Sequence, residues 1–276
     1  EEQRRIAAFL DHETARIDEL VHEQERLRTQ LLEKRSAVIS ASATTGLDDE
    51  ALTRDSGVAW LGEVSSEWSL VRLLHVSRIR SGLVDPTDER FVDFTLIAPN
   101  HVESETGRLL ELSTAREQGA ISGKYRCYHG DVIYSKIRPA LAKACLSPGD
   151  EVLCSADMYA IAPGERLLSE FLLLFLLSDA FTRFAVLESD RVAMPKINQE
   201  SLKDCWIPLP PIHEQQVIVE RAFAALKDVD ALLDESNRLI DLLLERRAAL
   251  ISAAVTGQLD LRDWQSPELE AVAEVA

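Results

Sequence analysis

Apolar residues recur at heptad spacing over two long stretches that contain no proline, and no glycine until Gly46 and Gly257. That pattern predicts long helices with one narrow apolar stripe each. In the first stretch the stripe reads Leu10, Ile17, Leu20, Leu27, Leu31 and Val38; in the second it reads Val229, Leu232, Leu239, Leu243 and Leu250. The stretches are copies of one another. Shifting the chain by 212 positions aligns 2–48 with 214–260 without a gap and gives 19 identities in 47 pairs. Leu31-Leu32-Glu33-Lys34-Arg35 falls on Leu243-Leu244-Glu245-Arg246-Arg247, and the polar interruptions coincide as well, Gln24 with Ser236 and Lys34 with Arg246. A lone helix cannot bury such a stripe. The simplest arrangement packs the copies on each other as an antiparallel coiled coil, since a long segment separates them. The alternative is that each helix lies on the intervening domain as an ordinary surface helix.

Between the copies the pattern changes to short apolar runs punctuated by Gly and Pro, as a mixed α/β domain shows. Candidate strands cover 68–76, 91–97, 131–134, 142–146 and 158–162. A helix is expected over 169–187, where Phe171, Leu174, Phe175, Phe181 and Phe184 recur at helical spacing as core residues. A turn of helix at 198–202 and a strand at 205–207 follow. Pro208-Leu209-Pro210-Pro211 then reads as a stiff extended linker. The fold class expected is α+β, with a first long helix at 1–46, a domain at 58–207, a second long helix at 212–256 and a tail at 257–276.

Composition narrows the class further. With 46% hydrophobic and 28% charged residues in 276, the chain reads as folded rather than disordered. Its longest apolar run is 171–177, far short of the ~20 residues of a membrane span. The beginning shows no basic and apolar pattern of a signal peptide, so a cytoplasmic location is expected. Cys127, Cys145, Cys154 and Cys205 lack the close spacing of metal sites and read as reduced thiols. No metal is expected.

The net charge of −17 argues against a polyanionic partner until its distribution is considered. Residues 58–208 hold 16 basic and 21 acidic residues, whereas the flanks hold 14 and 26. Between Gly119 and Lys143 the local net is +4, from Lys124, Arg126, Lys136, Arg138 and Lys143 against Asp131 alone, interleaved with Tyr125, Tyr128, His129 and Tyr134. Smaller basic clusters are Arg78 with Arg80 and Arg191 with Lys196. Such residues suit phosphate clamping and base-edge readout, although on composition alone a solvated loop is the simpler reading. Glycine-rich phosphate loops, nucleophile elbows and His-Glu-x-x-His patterns are absent from the sequence. His12, His22 and His213 read as solvated or capping residues. No catalytic residue is expected.

The segment Pro208-Leu209-Pro210-Pro211-Ile212-His213-Glu214-Gln215-Gln216-Val217-Ile218, running into a long helix with a partial twin at Glu2-Gln3-Arg4-Arg5-Ile6, resembles the signature of the DNA specificity subunit of type I restriction-modification enzymes. Gly130-Asp131-Val132-Ile133-Tyr134-Ser135-Lys136-Ile137-Arg138-Pro139, Ile197-Asn198-Gln199-Glu200-Ser201-Leu202 and the stretch 100–107 add softer matches. The resemblance implies a non-catalytic subunit whose target recognition domain reads one half of a split site in double-stranded DNA. The paired helices would be a spacer and a dock for DNA methyltransferase subunits. S-adenosylmethionine would belong to those partners, and ATP and Mg to a restriction and translocase subunit. The chain itself would hold no cofactor. Family members usually carry two recognition domains, so the chain is expected to be the C-terminal part of a subunit. A reading of another class is a coiled-coil scaffold whose central domain binds protein; a stand-alone nuclease has the least support.

Overall fold

The computed structural model describes residues 1–48, 50–189 and 195–264. Two compact units divide the chain, residues 1–35 with 227–276 and residues 36–226.

The first unit is built from two long helices. α1 spans Glu2–Thr44 and α6 spans Ile212–Val255, and the unit takes the N-terminal part of the one and the C-terminal part of the other. Cross-helix bonds run in opposite senses along the two: Arg35 pairs with Asp230, Gln24 meets Ser236, Asp18 pairs with Arg247, and Phe9 packs edge-on against Trp264. The helices are therefore antiparallel, as expected. Shifting either member of the Arg35–Asp230 pair by the repeat distance produces the Arg247–Asp18 pair, so one ion pair is made twice. Gln24 and Ser236 are equivalent residues that bond to each other, Ser236 Oγ lying 3.1 Å from Gln24 Oε1, which places a local near-dyad between them.

The middle of the expected stripe is corrected. Leu20, Leu27, Leu232 and Leu239 are exposed by 41 to 50%. The seam instead follows Ile17, Val21, Gln24, Leu31 and Arg35, and in the other copy Val229, Leu233, Ser236, Leu243 and Arg247. Continuing the three-four spacing from Ile17 passes through polar positions, and these are accepted because they bond across the seam. Lys34 and Arg246 are exposed; the buried cation is the neighbouring Arg35.

The second unit holds the domain. In chain order, β1 is Thr53–Asp55, β2 Glu63–Ser65, β3 Ser69–Arg72, α2 Leu73–Val76, β4 Ser77–Ile79, β5 Leu83–Val84, β6 Thr95–Ile97, β7 Lys124–Cys127, β8 Val132–Ser135, β9 Ala144–Leu146, β10 Val152–Cys154 and β11 Met158–Pro163. Then come α3 Ser169–Leu177, α4 Asp179–Ser189, α5 Gln199–Leu202 and β12 Trp206–Leu209. Among the described residues the strands form two four-stranded sheets, ordered β5-β7-β10-β6 and β4-β11-β8-β9, and two pairs, β1-β2 and β12-β3. Only β10 with β6 is a parallel pairing in these sheets.

β8 shows why the layers stack as they do. Val132, Ile133, Tyr134 and Ser135 are all buried. Val132 and Tyr134 join a core with Phe171, Phe175 and Phe181 of the helices, while Ile133 joins Cys127, Cys154 and Met158 toward the other sheet. Apolar residues on both faces are what a strand between two layers requires. The helical core also takes in Ile39 and Ala43 from α1 and Ile218, Ala222 and Leu226 from α6, so both long helices contribute to the domain.

Several expected elements are shortened or broken. The strand over 68–76 becomes β3, a helical turn that buries Leu73 and Val76, and then β4. The run 91–97 is a strand only from Thr95, because Phe91 and Val92 donate their amides back to the Asp88 carbonyl. The helix over 169–187 is split at Ser178, whose hydroxyl donates to the Phe175 carbonyl and accepts from the Phe181 amide. It ends α3 and caps α4 with one side chain. The proline linker is partly strand: Pro208 and Leu209 pair with Leu70 and Ser69, which is compatible with proline because β12 has a single neighbour in its sheet. β1, β2, β4, β5, β7 and β10 fall outside the expected strands.

The join to α6 is a built contact. Gln215, fully buried, accepts from the Leu168 amide at 2.9 Å and donates Nε2 to the carbonyls of Arg166 and Pro210 at 2.9 and 2.8 Å. Trp68 donates Nε1 to Glu214 at 2.7 Å, and its ring lies against Gly46, whose φ of +88° closes the end of α1.

Candidate nucleic-acid interface

The basic residues of the domain sit on β4, β7 and the turns around β8, and they separate into two groups at the two ends of that strand. Asp131, immediately before β8 and buried, is the anchor of the first group. It accepts Nε and an Nη of Arg80 at 2.8 Å each and the Tyr128 amide at 2.9 Å. These hydrogen bonds raise the Arg80 pKa above its ordinary value, against the opposing effect of burial. Arg80 is thus neutralised within the fold, its guanidinium lying 4.3 Å from the Tyr128 ring centroid.

Arg126, on β7, is held differently. Its guanidinium stacks 4.7 Å from the Tyr128 centroid and 5.6 Å from that of Phe94. Its Nε is buried without a hydrogen-bond partner. Arg78, Arg80, Arg126, Tyr128 and Phe91 line a cavity of about 460 Å³. A second cavity of about 640 Å³ shares Arg78 and Arg80 and adds His75, His129 and Arg166. Of these, His129 lies within the basic stretch of the sequence, whereas His75 and Arg166 lie outside its basic clusters. A signal was available for Arg166, since it lies three residues before the start of α3, in a loop that the buried Gln215 ties down.

The second group follows β8. Lys136 is half-buried, with Nζ 5.4 Å from the Tyr159 ring centroid. Arg138 is exposed and left-handed at φ +49°, a conformation uncommon for a residue with a side chain. Its amide donates to Pro195, the Ile197 amide donates to Lys136, and Ile137 bridges to Lys196, so the structure does bring Lys136, Arg138 and the exposed Lys196 together. Arg191 lies outside the described residues.

Two members of the basic stretch are not in exposed turns as expected. Lys124 is only 7% exposed, and its ammonium donates to the carbonyl and hydroxyl of Ser122 at 2.6 and 2.7 Å. Burial lowers its pKa. The cause is its place in β7, a strand the charged sequence concealed. Lys143 is half-buried and donates to the Pro99 carbonyl at 2.7 Å. Both cations are engaged within the domain. Among the described residues, Arg78, Arg126, Lys136, Arg138 and Lys196 make no ion pair, whereas Arg72, Arg90, Arg108, Arg116 and Lys203 each have an acidic partner. No cluster of His, Cys, Asp or Glu among the described residues is arranged to hold a metal, and no described helix is long and apolar enough to cross a membrane.

Comparison with known proteins agrees with this architecture. Residues 66–243 match the family described as type I restriction modification DNA specificity domain. The specificity subunit of the type I restriction enzyme EcoDI from Escherichia coli is 30% identical over 285 residues, covering 97% of this chain and 63% of that protein. The putative MjaX specificity subunit from Methanocaldococcus jannaschii is 23% identical over 224 residues, covering 78% of this chain and 52% of its own length. The chain therefore spans less than two thirds of these relatives. A crystal structure of the HsdS subunit from Thermoanaerobacter tengcongensis superposes with a TM-score of 0.52 at 19% identity, over 94% of this chain and 59% of that one. A chain from a study of assembly and conformational transition in a type I R-M system gives 0.64 at 21% identity, over 92% and 59%.

Proposed function

Because the chain belongs to the type I restriction-modification DNA specificity family, we propose that its domain reads one half of a bipartite site in double-stranded DNA. The observation that carries the proposal is that, in a chain of net charge −17, several domain cations have no acidic partner among the described residues, Arg78, Arg126, Lys136, Arg138 and Lys196 among them. Cations with no partner inside an acidic protein are free to meet phosphates, and each such contact adds favourable counterion release. The subunit would do no chemistry itself. Methyltransferase subunits holding S-adenosylmethionine, and a restriction and translocase subunit using ATP and Mg, would act on the site it selects, in the cytoplasm.

The antiparallel helices supply a candidate dock for those partners. Leu20, Leu27 and Leu32 are exposed by 42 to 47%, and their repeat equivalents Leu232, Leu239 and Leu244 by 41 to 50%. Exposed apolar residues repeated at equivalent places suit two copies of one partner.

The test is duplex binding by the complex with its methyltransferase subunits, measured across a salt series. Lys136→Ala and Arg138→Ala should each weaken binding. Loss of a phosphate contact lowers the salt slope by about one, and loss of a base contact costs about 1 to 3 kcal/mol at one position of the site. Binding that is independent of salt, or untouched by both substitutions, would overturn the assignment.

A further inference from the structure

The cavity of about 460 Å³ between β4, β5 and β7 is lined by three arginines, the exposed Arg78 and the half-buried Arg80 and Arg126, and none of its lining residues is acidic. Asp131 satisfies Arg80 through both oxygens, which leaves Arg78 and Arg126 uncompensated. Arg126 makes no hydrogen bond or ion pair from its side chain among the described residues, although its Nε is buried. A half-buried guanidinium with a buried, unsatisfied donor is costly in the empty protein. An anion entering the cavity removes that cost.

The guanidinium is also already in place. Stacking on Tyr128 and Phe94 holds its plane, so less side-chain freedom is lost when it grips a ligand. Two net positive charges select a charged oxyanion over the neutral edge of a base, and a planar fork matches two oxygens of a phosphate. We infer that Arg78 and Arg126 form a binding site for a single phosphate group, with Arg80, pinned by Asp131, as its fixed wall. That the phosphate belongs to a DNA strand rests on the recognition function proposed above; occupancy of the cavity by a phosphate oxyanion does not.

Two measurements separate these statements, the first on the full chain and the second on the chain in complex with its methyltransferase subunits. In the first, inorganic phosphate is titrated while the Nε–Hε resonances of arginine are followed by NMR, with acetate at matched ionic strength as the comparison. Phosphate should move the Arg126 signal saturably, and should raise the melting temperature of the wild type but not that of Arg126→Gln. An Arg126 signal that ignores phosphate, or follows acetate equally, overturns the site. In the second, the salt dependence of duplex binding is compared for wild type, Arg126→Gln and Arg126→Lys. Loss of about one unit of slope in Arg126→Gln, with recovery of slope but not of full affinity in Arg126→Lys, places a DNA phosphate in the cavity. If the wild type responds to phosphate but binds no duplex, the site stands with free phosphate as its ligand and the recognition function falls. If duplex binding is strong and its slope is unchanged in Arg126→Gln, a DNA strand is excluded from the cavity.

Discussion

The ion pair made twice offers an internal control on what burial does to a salt bridge. Arg35 and Asp230 meet at 2.8 Å with side chains 5% and 25% exposed; Arg247 and Asp18 meet at the same distance with side chains 38% and 53% exposed. The Nε–Oδ1 contact is the same in both copies, and although Arg247 also makes a second bond from Nη2 to Asp18 Oδ2 at 3.3 Å, the larger difference is in environment. The exposed pair should contribute about 0.2 to 1 kcal/mol, as surface pairs do. For the buried pair, the Coulomb attraction acts at a lower effective dielectric, and the Arg35 alkyl stem is packed in the seam. Arg35→Ala should therefore cost about 3 kcal/mol, and Arg247→Ala under about 1 kcal/mol. Double-mutant cycles with Asp230→Ala and Asp18→Ala, followed by denaturant unfolding with circular dichroism of the helices, isolate the coupling from the packing. The cycle at 35 and 230 should give about 2 kcal/mol and persist in high salt, while that at 247 and 18 should be a few tenths and disappear as the screening length falls to about 3 Å in 1 M salt. Equal couplings, or equal loss in salt, would refute the argument that burial distinguishes the two copies.

Three further outcomes follow from named contacts. Gln215→Ala removes a fully buried side chain that serves three backbone groups and should lower stability by about 3 kcal/mol, whereas Gln3→Ala, at the exposed equivalent position, should change it by less than about 0.5 kcal/mol; thermal melts decide this. Burial pushes the Cys145 thiol up to about 12 and that of Cys127 is raised as well, so native protein at pH 8 should resist a thiol reagent that titrates four cysteines after unfolding. An unfolded thiol titrates near 9.0, so the unfolded chain loses that proton first, and the Cys145 contribution, complete below pH 9, is lost as pH rises toward 12. The hydrogen bonds from Arg90 hold the Asp88 carboxyl at about 2, below its ordinary 3.8, and an NMR titration of Arg90→Gln should return it toward the ordinary value.

The long helices were legible because they repeat, and a repeat can be counted without knowing what it packs against. Their seam was read less well. Apolar residues at Leu20 and Leu27 mimic a buried stripe, yet the true phase runs through Gln24 and Arg35, polar residues whose partners lie some two hundred positions away. Strands with strongly apolar runs, such as β8 and β11, were visible. β7 was not: its residues are Lys124, Tyr125, Arg126 and Cys127, and nothing local reveals that Lys124 turns inward to Ser122. The candidate site suffers from the same limit. Residue types announced a basic region, but which cations are already satisfied depends on Asp131 and on bonds across strands.

The ladder between β3 and β12 sets Ser69 opposite Leu209, so the two ends of the stretch from β4 to α5 lie side by side. Most of the domain is therefore an insertion between two neighbouring strands. A different module with compatible ends could be grafted between those strands while the helical seam keeps its own bonds. If the domain reads DNA as proposed, target preference could then change without any change in the helices, as a cartridge is changed in its holder.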